Sequence, residues 1–478
     1  ASVGNQNPDI LLKPVSGYQN ALLRNDSYVN AGKDPIYTPE QIHEFAKGDS
    51  EWGYKAIMKN ALQQNYNINV QGGSKVTTYN VSFGYYDQES NFKGQDFGIK
   101  KYNFRSNLTS EIQRLKLKVL LAYDRNEGRS DRGDMQLADV MRVPTYNTYS
   151  LYPDEDGKYY NNEITTGGNY LARLRHGGLT TNDKDHFQGI VSGDLKIWQG
   201  LKLRGVVGYD IISEHRLIKR RYYPVYKYLN KDQIANAGQS KNYSIQDYNN
   251  KATMLNLQFF LDYNHTYNDV HQVTGLFGST SESFRSEKNE IRRNFVDPDL
   301  YQDTDDTVYE TSSYNTPNGF RERALHSWLG RLGYSYKDKY YAEVNARYDG
   351  SSRFAKDNRW GFFPSMSLGW RISEENFLSF WKDKVGDMKI RGSYGLLGSQ
   401  TVDDQYLTTY KVNSDQYGFN NSSVTGTGFT FGNSELSWEK TKTFNIGFDA
   451  SFLKNALNVT FDVFQKNTSD ILLTPLSP

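Results

Sequence analysis

Residues 340–372 read YYAEVNARYDGSSRFAKDNRWGFFPSMSLGWRI. In the first half Tyr340, Ala342, Val344, Ala346 and Tyr348 fall on one face and Tyr341, Glu343, Asn345, Arg347 and Asp349 on the other. A period of two is the mark of a strand. In the second half Pro364, Met366, Leu368, Trp370 and Ile372 oppose Phe363, Ser365, Ser367, Gly369 and Arg371, so two amphipathic strands flank a polar turn at 350–358. A soluble antiparallel sheet can show the same pattern, but here tyrosines bracket the apolar row. Eight residues at about 3.3 Å each, tilted about 40°, cross roughly 20 Å, close to the apolar band of an outer-membrane barrel with aromatic residues at both interfaces.

Outward from this hairpin, period-two segments recur at 65–70, 77–86, 97–110, 115–124, 186–197, 201–212, 254–265, 270–281, 325–336, 388–397, 438–449 and 457–465. With the hairpin this predicts about fourteen strands, and a remnant of one more at 1–5. Their connections alternate in length. Those at 72–74, 111–114, 198–200, 266–269, 336–340 and 453–456 are short, and those at 87–96, 125–185, 213–253, 282–324, 350–361 and 398–437 are long. Short turns on one rim and long loops on the other predict an all-β fold, a transmembrane antiparallel up-and-down barrel. One connection departs from the scheme: 373–387 falls on the short rim yet reads as a helix, with Ser373 as N-cap and Glu374 and Glu375 in its first turn. Residues 1–62 show little strand periodicity, and Thr38-Pro39 reads as a helix N-cap followed by proline at the first helical position. Loops of such unequal length do not fit the blade repeat of a propeller.

Composition agrees. The 478 residues include 37 Tyr, 25 Phe, 7 Trp and 40 Gly but no Cys, which removes disulfides, thiol nucleophiles and thiolate metal sites together. A mean hydropathy of −0.75 argues against a transmembrane helix but not against a barrel, whose lipid-facing residues occupy every second position. A net charge of +1 gives no sign of a nucleic-acid partner. No secretory leader opens the chain, and its end lacks an aromatic-terminated closing strand, so it reads as part of a larger barrel.

The motifs Arg347-Tyr348-Asp349-Gly350-Ser351-Ser352-Arg353-Phe354, Asn358-Arg359-Trp360-Gly361, Phe363-Pro364-Ser365 and Gly369-Trp370-Arg371 resemble the central barrel signature of the SusC/RagA family of TonB-linked outer-membrane transporters. Tyr102 to Leu108, Tyr336 to Tyr340, Arg391 to Gly395, Trp438 to Thr441 and Asn445 to Asp449 resemble further family motifs in family order. The resemblance implies a barrel of about 22 strands, of which 63–478 would be a part and 1–62 a first-strand remnant and linker. It also implies a plug and TonB-contacting segment outside this chain, a SusD-like surface lipoprotein, TonB and outer-membrane lipid as partners, and an oligosaccharide or peptide as cargo in a Gram-negative outer membrane.

Residues with chemical potential are weighed against plainer roles. The seven histidines share no metal-ligand spacing. Asp154-Glu155-Asp156-Gly157 and Asp297, Asp299, Asp303, Asp305 and Asp306 offer hard oxygens for calcium but complete no EF-hand, so solvated acidic loops are the favoured reading. No nucleophile elbow, Walker loop or dinucleotide fingerprint occurs, and pairs such as Glu343 with Asp349 or Glu439 with Asp449 are unremarkable among 55 acids. Neither an enzyme, a metal nor a cofactor is expected. Polar rows led by Lys101, Asn103 and Arg105, by Arg204, by Asn345 and Arg347, and by Glu439 are candidates for the lumen, with plug contact favoured over solute binding. Tyr146, Tyr149, Tyr152, Tyr159 and Tyr160 are loop aromatics able to stack on sugars or to clamp a protein. The rival from another class is a soluble β-rich protein that binds or cleaves glycans.

Overall fold

A computed structural model describes the chain except for residues 1, 5–15, 48–56, 132–150, 162–168, 228–229, 236–242, 296–318, 379–380, 382–385, 401–406, 420–421, 453–455 and 473–478. The strands are β1 (Ser2–Gly4), β2 (Ala61–Gly73), β3 (Thr77–Glu89), β4 (Gly98–Ile112), β5 (Leu115–Ser130), β6 (Tyr159–Asn161), β7 (Gly178–Trp198), β8 (Leu201–Arg220), β9 (Val225–Lys227) and β10 (Tyr243–Tyr267). They continue as β11 (His271–Phe295), β12 (Phe320–Tyr336), β13 (Tyr340–Ser351), β14 (Trp360–Trp370), β15 (Met388–Ser399), β16 (Thr409–Phe419), β17 (Ser422–Thr430), β18 (Glu439–Phe452) and β19 (Leu457–Ser469). Fifteen of them form one sheet in chain order, from β1 at one edge to β19 at the other, with β6, β9, β16 and β17 set aside in loops. Every ladder in this sheet is antiparallel. Among the described residues β19 pairs with β18 alone, and no ladder joins it to β1.

The sheet is inside out by the standards of a soluble protein. Ile68, Val207, Phe259, Phe277, Leu332, Val344, Met366, Leu368, Ile446 and Phe461 stand exposed on one face, Val344 at 56% and Leu332 at 69%. An exposed apolar belt of this extent needs lipid to cover it. Aromatic residues border it. Tyr66 stacks on Tyr85, and Tyr85 meets Tyr102, toward the long-loop rim. Tyr348 stacks on Trp360 with centroids 4.7 Å apart at that rim, and Tyr336 stacks on Tyr340 at the short-turn rim. The short turns are tight because their residues accept positive φ: Asn268 and Asp269 at 50° and 57°, Lys337 and Asp338 at 52° and 53°. Two consecutive left-handed residues match the twist of a two-stranded ribbon. Gly200 is also left-handed, and a Cβ there would lie 2.5 Å from the Asn264 carbonyl oxygen.

Several expectations change. Residues 17–30 form helix α1 (Gly17–Asn30), opened by a capping box in which the Ser16 hydroxyl accepts from Gln19 N and the Gln19 side chain accepts from Ser16 N. That Ser-x-x-Gln pattern was in the sequence, though the first 62 residues read there as linker. Helix α2 (Pro39–Lys47) begins where expected, with a reciprocal Thr38–Gln41 box. The stretch 373–387, expected as one helix, opens with two 3₁₀ turns, Ile372–Glu374 and Asn376–Leu378, and of 379–385 only Trp381, which is helical, is among the described residues. Ser373 lies inside the first of them, and its hydroxyl accepts from Met388 N, so it fastens the start of β15 rather than capping a helix. Strand β14 accordingly stops at Trp370, before Ile372. Strands β7, β8, β10 and β11 overrun their expected ends toward the long loops, the last two reaching 25 residues each. Outside lipid the outer face needs no apolar residue, so alternation no longer marks the strand.

The long loops carry their own core. Ile57, Met58, Phe97 and Leu151 pack against Leu171 and Leu174 of helix α3 (Tyr170–His176). Asn169 caps α3 and is fully buried, its amide donating to the carbonyls of Leu151 and Tyr160. Tyr159 and Tyr160 are buried in this cap, at 8% and 5% exposure, so they do not present faces for sugar stacking. Tyr146, Tyr149 and the acids 297–306 lie outside the described residues. The Asp154 carboxylate accepts from the amides of Asp156 and Lys158 and from the Tyr160 hydroxyl, which makes it the fastener of a tight turn.

Two measurements test this fold. Arginine at Val344, mid-way along the lipid face, is expected to cost about 2–4 kcal/mol of stability, while arginine at luminal Asn345 stays within about 0.5 kcal/mol; equal losses in denaturant titration would reject the facing. The Tyr160 hydroxyl and the turn amides hold the Asp154 carboxyl below its usual range. Its stabilisation of the turn is therefore complete above about pH 4 and is lost as pH falls through the depressed folded value. Hydrogen-exchange protection of the Lys158 amide is expected to fall in acid in the wild type, and to be low and pH-independent in Asp154→Ala, which removes the acceptor.

Candidate functional site on the inner face

Turning the belt toward lipid turns every intervening residue toward the lumen, and there the sequence supplies charges that pair across strands. Arg204 on β8 donates from Nε to Asp194 Oδ1 at 2.9 Å and lies 3.5 Å from Asp262. His186 sits 2.9 Å from Asp210, which also accepts from Gln188. Arg347 grips Asp349 at 3.0 Å and reaches Ser327 Oγ at 3.3 Å, while the Asn345 amide donates to Glu343. Arg391 spans Asp449 at 2.9 Å and Asp462 at 2.7 Å, tying three strands together. Charges 3 Å apart on a concave wall hold each other in place and present a polar, rigid surface.

The candidates from the sequence are therefore on the expected face but do not converge on one site. Lys101 lies over the Tyr86 ring at 5.6 Å. Asn103 and Asn67 share the space that Gly84 leaves open, where a Cβ would stand 2.5 Å from Asn103 Oδ1. Arg105 is exposed two positions further along β4. Glu439 opens β18 opposite Ser399, across the wall from β4.

The signature motif has an architectural role. Ladder pairing between β14 and β15 runs only from Trp370↔Ile390 to Ser365↔Gly395, so above Ser365 the two strands part. Phe354, Phe363 and Trp438 meet there as a buried cluster, with Phe363 and Trp438 edge to face at 5.2 Å. Gly361 has no room for a Cβ beneath Phe363 and Trp438. Gly350 is likewise held to glycine by the Trp360 indole, 2.8 Å from where a Cβ would be. The loop is then laced down on every side: Ser352 Oγ accepts from Ala324 N, Ser351 Oγ from Arg353 N, and Arg353 donates to the Gln400 carbonyl. Asn358 donates to the Ser434 carbonyl, Arg359 to that of Phe354, and Trp438 Nε1 to that of Arg359 at 2.8 Å. Pro364 and Trp370 face lipid, where the indole N–H of Trp370 donates to Glu375, and Gly369 leaves space for the Lys389 stem.

A cavity of about 710 Å³ opens where the β3–β4 loop meets the extended ends of β5 and β7. It is lined by Gln88, Phe92, Ile99, Arg129, Thr180 and Asn182, among others. Thr180 is 4% exposed and its hydroxyl has no hydrogen-bond partner; the Asn182 side-chain oxygen is also buried without one. Orphaned polar atoms in a cleft are poised for a ligand or water. No sequence pattern pointed to this place, because 178–185 read as loop. Among the described residues no cluster of three or more His, Cys, Asp or Glu is arranged to hold a metal.

Residues 52–478 match the family described as TonB dependent receptor-like, beta-barrel. TonB-dependent receptor P39 of Formosa agariphila is 30% identical over 423 residues, which covers 87% of this chain and 38% of that protein. TonB-dependent receptor SusC of Bacteroides thetaiotaomicron is 28% identical over 488 residues, 94% of this chain and 45% of that protein. The chain thus spans less than half the length of either relative. Among solved structures, the RagAB peptide transporter superposes with a TM-score of 0.73 at 20% identity, over 99% of this chain and 54% of that one. The shared fold, the lipid-facing belt and the matched residues establish that the chain belongs to the TonB-dependent receptor β-barrel family of the Gram-negative outer membrane.

Proposed function

We propose that this chain is the barrel wall of an active importer that carries a large polar nutrient, an oligosaccharide or a peptide, across the outer membrane. The observation that carries the reading is one continuous antiparallel sheet with an apolar outer face and an ion-paired inner face. Transport through such a wall is a matter of surface and shape, in line with a family of receptors and transporters rather than enzymes. Residues 63–478 form part of the barrel in this reading, and 1–62 carry its first strand and a helical link. The TonB-dependent receptors among its relatives support energy from TonB, and the resemblance of its motifs to the SusC/RagA family implies a surface lipoprotein lid. The paired luminal rows, including Arg204, Asn345 and Arg347, face a plug, and the cavity at Thr180 and Asn182 meets cargo at the mouth. The soluble rival has no support in a sheet whose large apolar side chains stand exposed along nearly every strand.

Topology is checked with single cysteines. Asp156→Cys, Asp232→Cys and Asn433→Cys on the long-loop rim are expected to react with a membrane-impermeant maleimide in intact cells, and Asn268→Cys and Lys337→Cys only after lysis. Reaction of either turn cysteine in intact cells would invert the wall. Uptake is checked by feeding labelled oligosaccharides or oligopeptides to cells that carry or lack the gene; accumulation that depends on the gene and stops when the proton gradient is collapsed supports the proposal, and gene-independent uptake of every pool rejects it. Thr180→Val should stabilise the wall by about 1 kcal/mol, since it removes a buried hydroxyl without a partner, yet raise the half-saturating cargo concentration about fivefold. Unchanged uptake would place cargo elsewhere.

A further inference from the structure

The lipid face carries a dent at its short-turn end, about 660 Å³ in volume. Register explains it. One row across the sheet runs Tyr334, Ala342, Leu368, Gly392, Ile446, so two of its positions have almost no side chain. The row nearer the turns is bulky, Tyr340 beside Trp370 beside Ile390, and the row nearer the midplane is bulky too, Val344 beside Met366 beside Tyr394. Small residues between two tall rows leave a trough that runs across the strands, with Leu368 rising from its floor. A Cβ on Gly392 would meet only the Asn445 carbonyl oxygen, at 3.8 Å, so the space is real and unfilled.

Polar groups stand at the trough's outer end. Glu375 accepts from the Tyr340 hydroxyl at 2.5 Å and from the Trp370 indole at 3.1 Å, fixing both girdle rings upright. In the adjoining turn Lys339 lies 3.8 Å from Glu375, and Lys337 lies 5.3 Å from the centroid of the Tyr336 ring. An apolar trough that ends on charged groups of both signs, Lys337 and Lys339 beside the Glu375 carboxylate, and that is continuous with the lipid-covered belt has the polarity of a phospholipid, an acyl chain below a charged headgroup.

We propose that this trough is a binding site for one glycerophospholipid of the periplasmic leaflet. An acyl chain lies over Ala342 and Gly392, and the phosphodiester meets Lys337 and Lys339. The site is continuous with the lipid-covered belt, which distinguishes it from a protein-docking groove. Its orientation rests on the short turns being periplasmic; the lipid's presence does not.

The protein, extracted from outer membranes in a mild detergent and passed through gel filtration, is assayed for retained lipid by mass spectrometry. The wild type is expected to keep glycerophospholipid. Ala342→Leu combined with Gly392→Leu fills the trough and should lower retention about tenfold. Gly330→Leu adds the same bulk elsewhere on the lipid face, where a Cβ meets only Leu276 O at 3.9 Å, and should leave retention unchanged. Equal retention in wild type and double variant overturns the site. Should the double variant not fold, the wild type is photo-crosslinked with phospholipid carrying a diazirine on its acyl chain. Adducts concentrated on the peptides of Leu368 and Ile390 support the site; adducts spread evenly along the wall, or formed there only with a lipid A probe, overturn it.

Discussion

In hydrocarbon an unpaired peptide group costs several kcal/mol, and the whole wall is a solution to that constraint. Antiparallel ladders satisfy the backbone between strands, which leaves side chains free to alternate between two solvents. Every other feature follows from this division. The belt can be apolar because the peptide groups behind it are already bonded. The lumen can be crowded with charge because its carboxylates and guanidinium groups find each other across the same ladders, as Arg391 does between Asp449 and Asp462.

A lapse in that regularity is where sequence detail concentrates. Above Ser365 the ladder between β14 and β15 lapses, and a run of specific residues replaces it: glycines that let indoles lie against backbone, and hydroxyls, an amide and two arginines that bond to loop amides and carbonyls. The most specific motif in the chain thus maps to the place where generic pairing fails. Its role is to hold the wall shut along a seam, and it has no need of cargo to explain it.

How much of this was legible in the chain depends on which force set each element. Where lipid met one face, period-two alternation placed the strands and their facing, and Val344 against Asn345 is the plain case. Where strands rise beyond lipid, as in β10 and β11, both faces are polar and the pattern carried no information about where they end. Helix α1 was hidden by weak amphipathicity, although its Ser16–Gln19 box was written out. Ser373 misled because a serine before two acids is a helix start in isolation, whereas here its hydroxyl is taken by the beginning of β15. The luminal candidates were found by face but not by partner, since pairing joins residues far apart in sequence. Thr180 was invisible for the same reason: an unsatisfied hydroxyl is a property of its neighbours.

The length of β10 and β11 bears on what the molecule is for a solute approaching it. Twenty-five residues at about 3.4 Å, tilted about 40°, rise roughly 65 Å, against an apolar band of about 25 Å. More than half of that ribbon therefore stands clear of the apolar band as a rampart. A molecule arriving from outside enters a walled antechamber well before it reaches membrane depth, and within it diffusion away is hindered on the β10–β11 side. In the proposed importer, capture and passage become two separate places along one axis, so selectivity at the top and conduction below can evolve without disturbing each other.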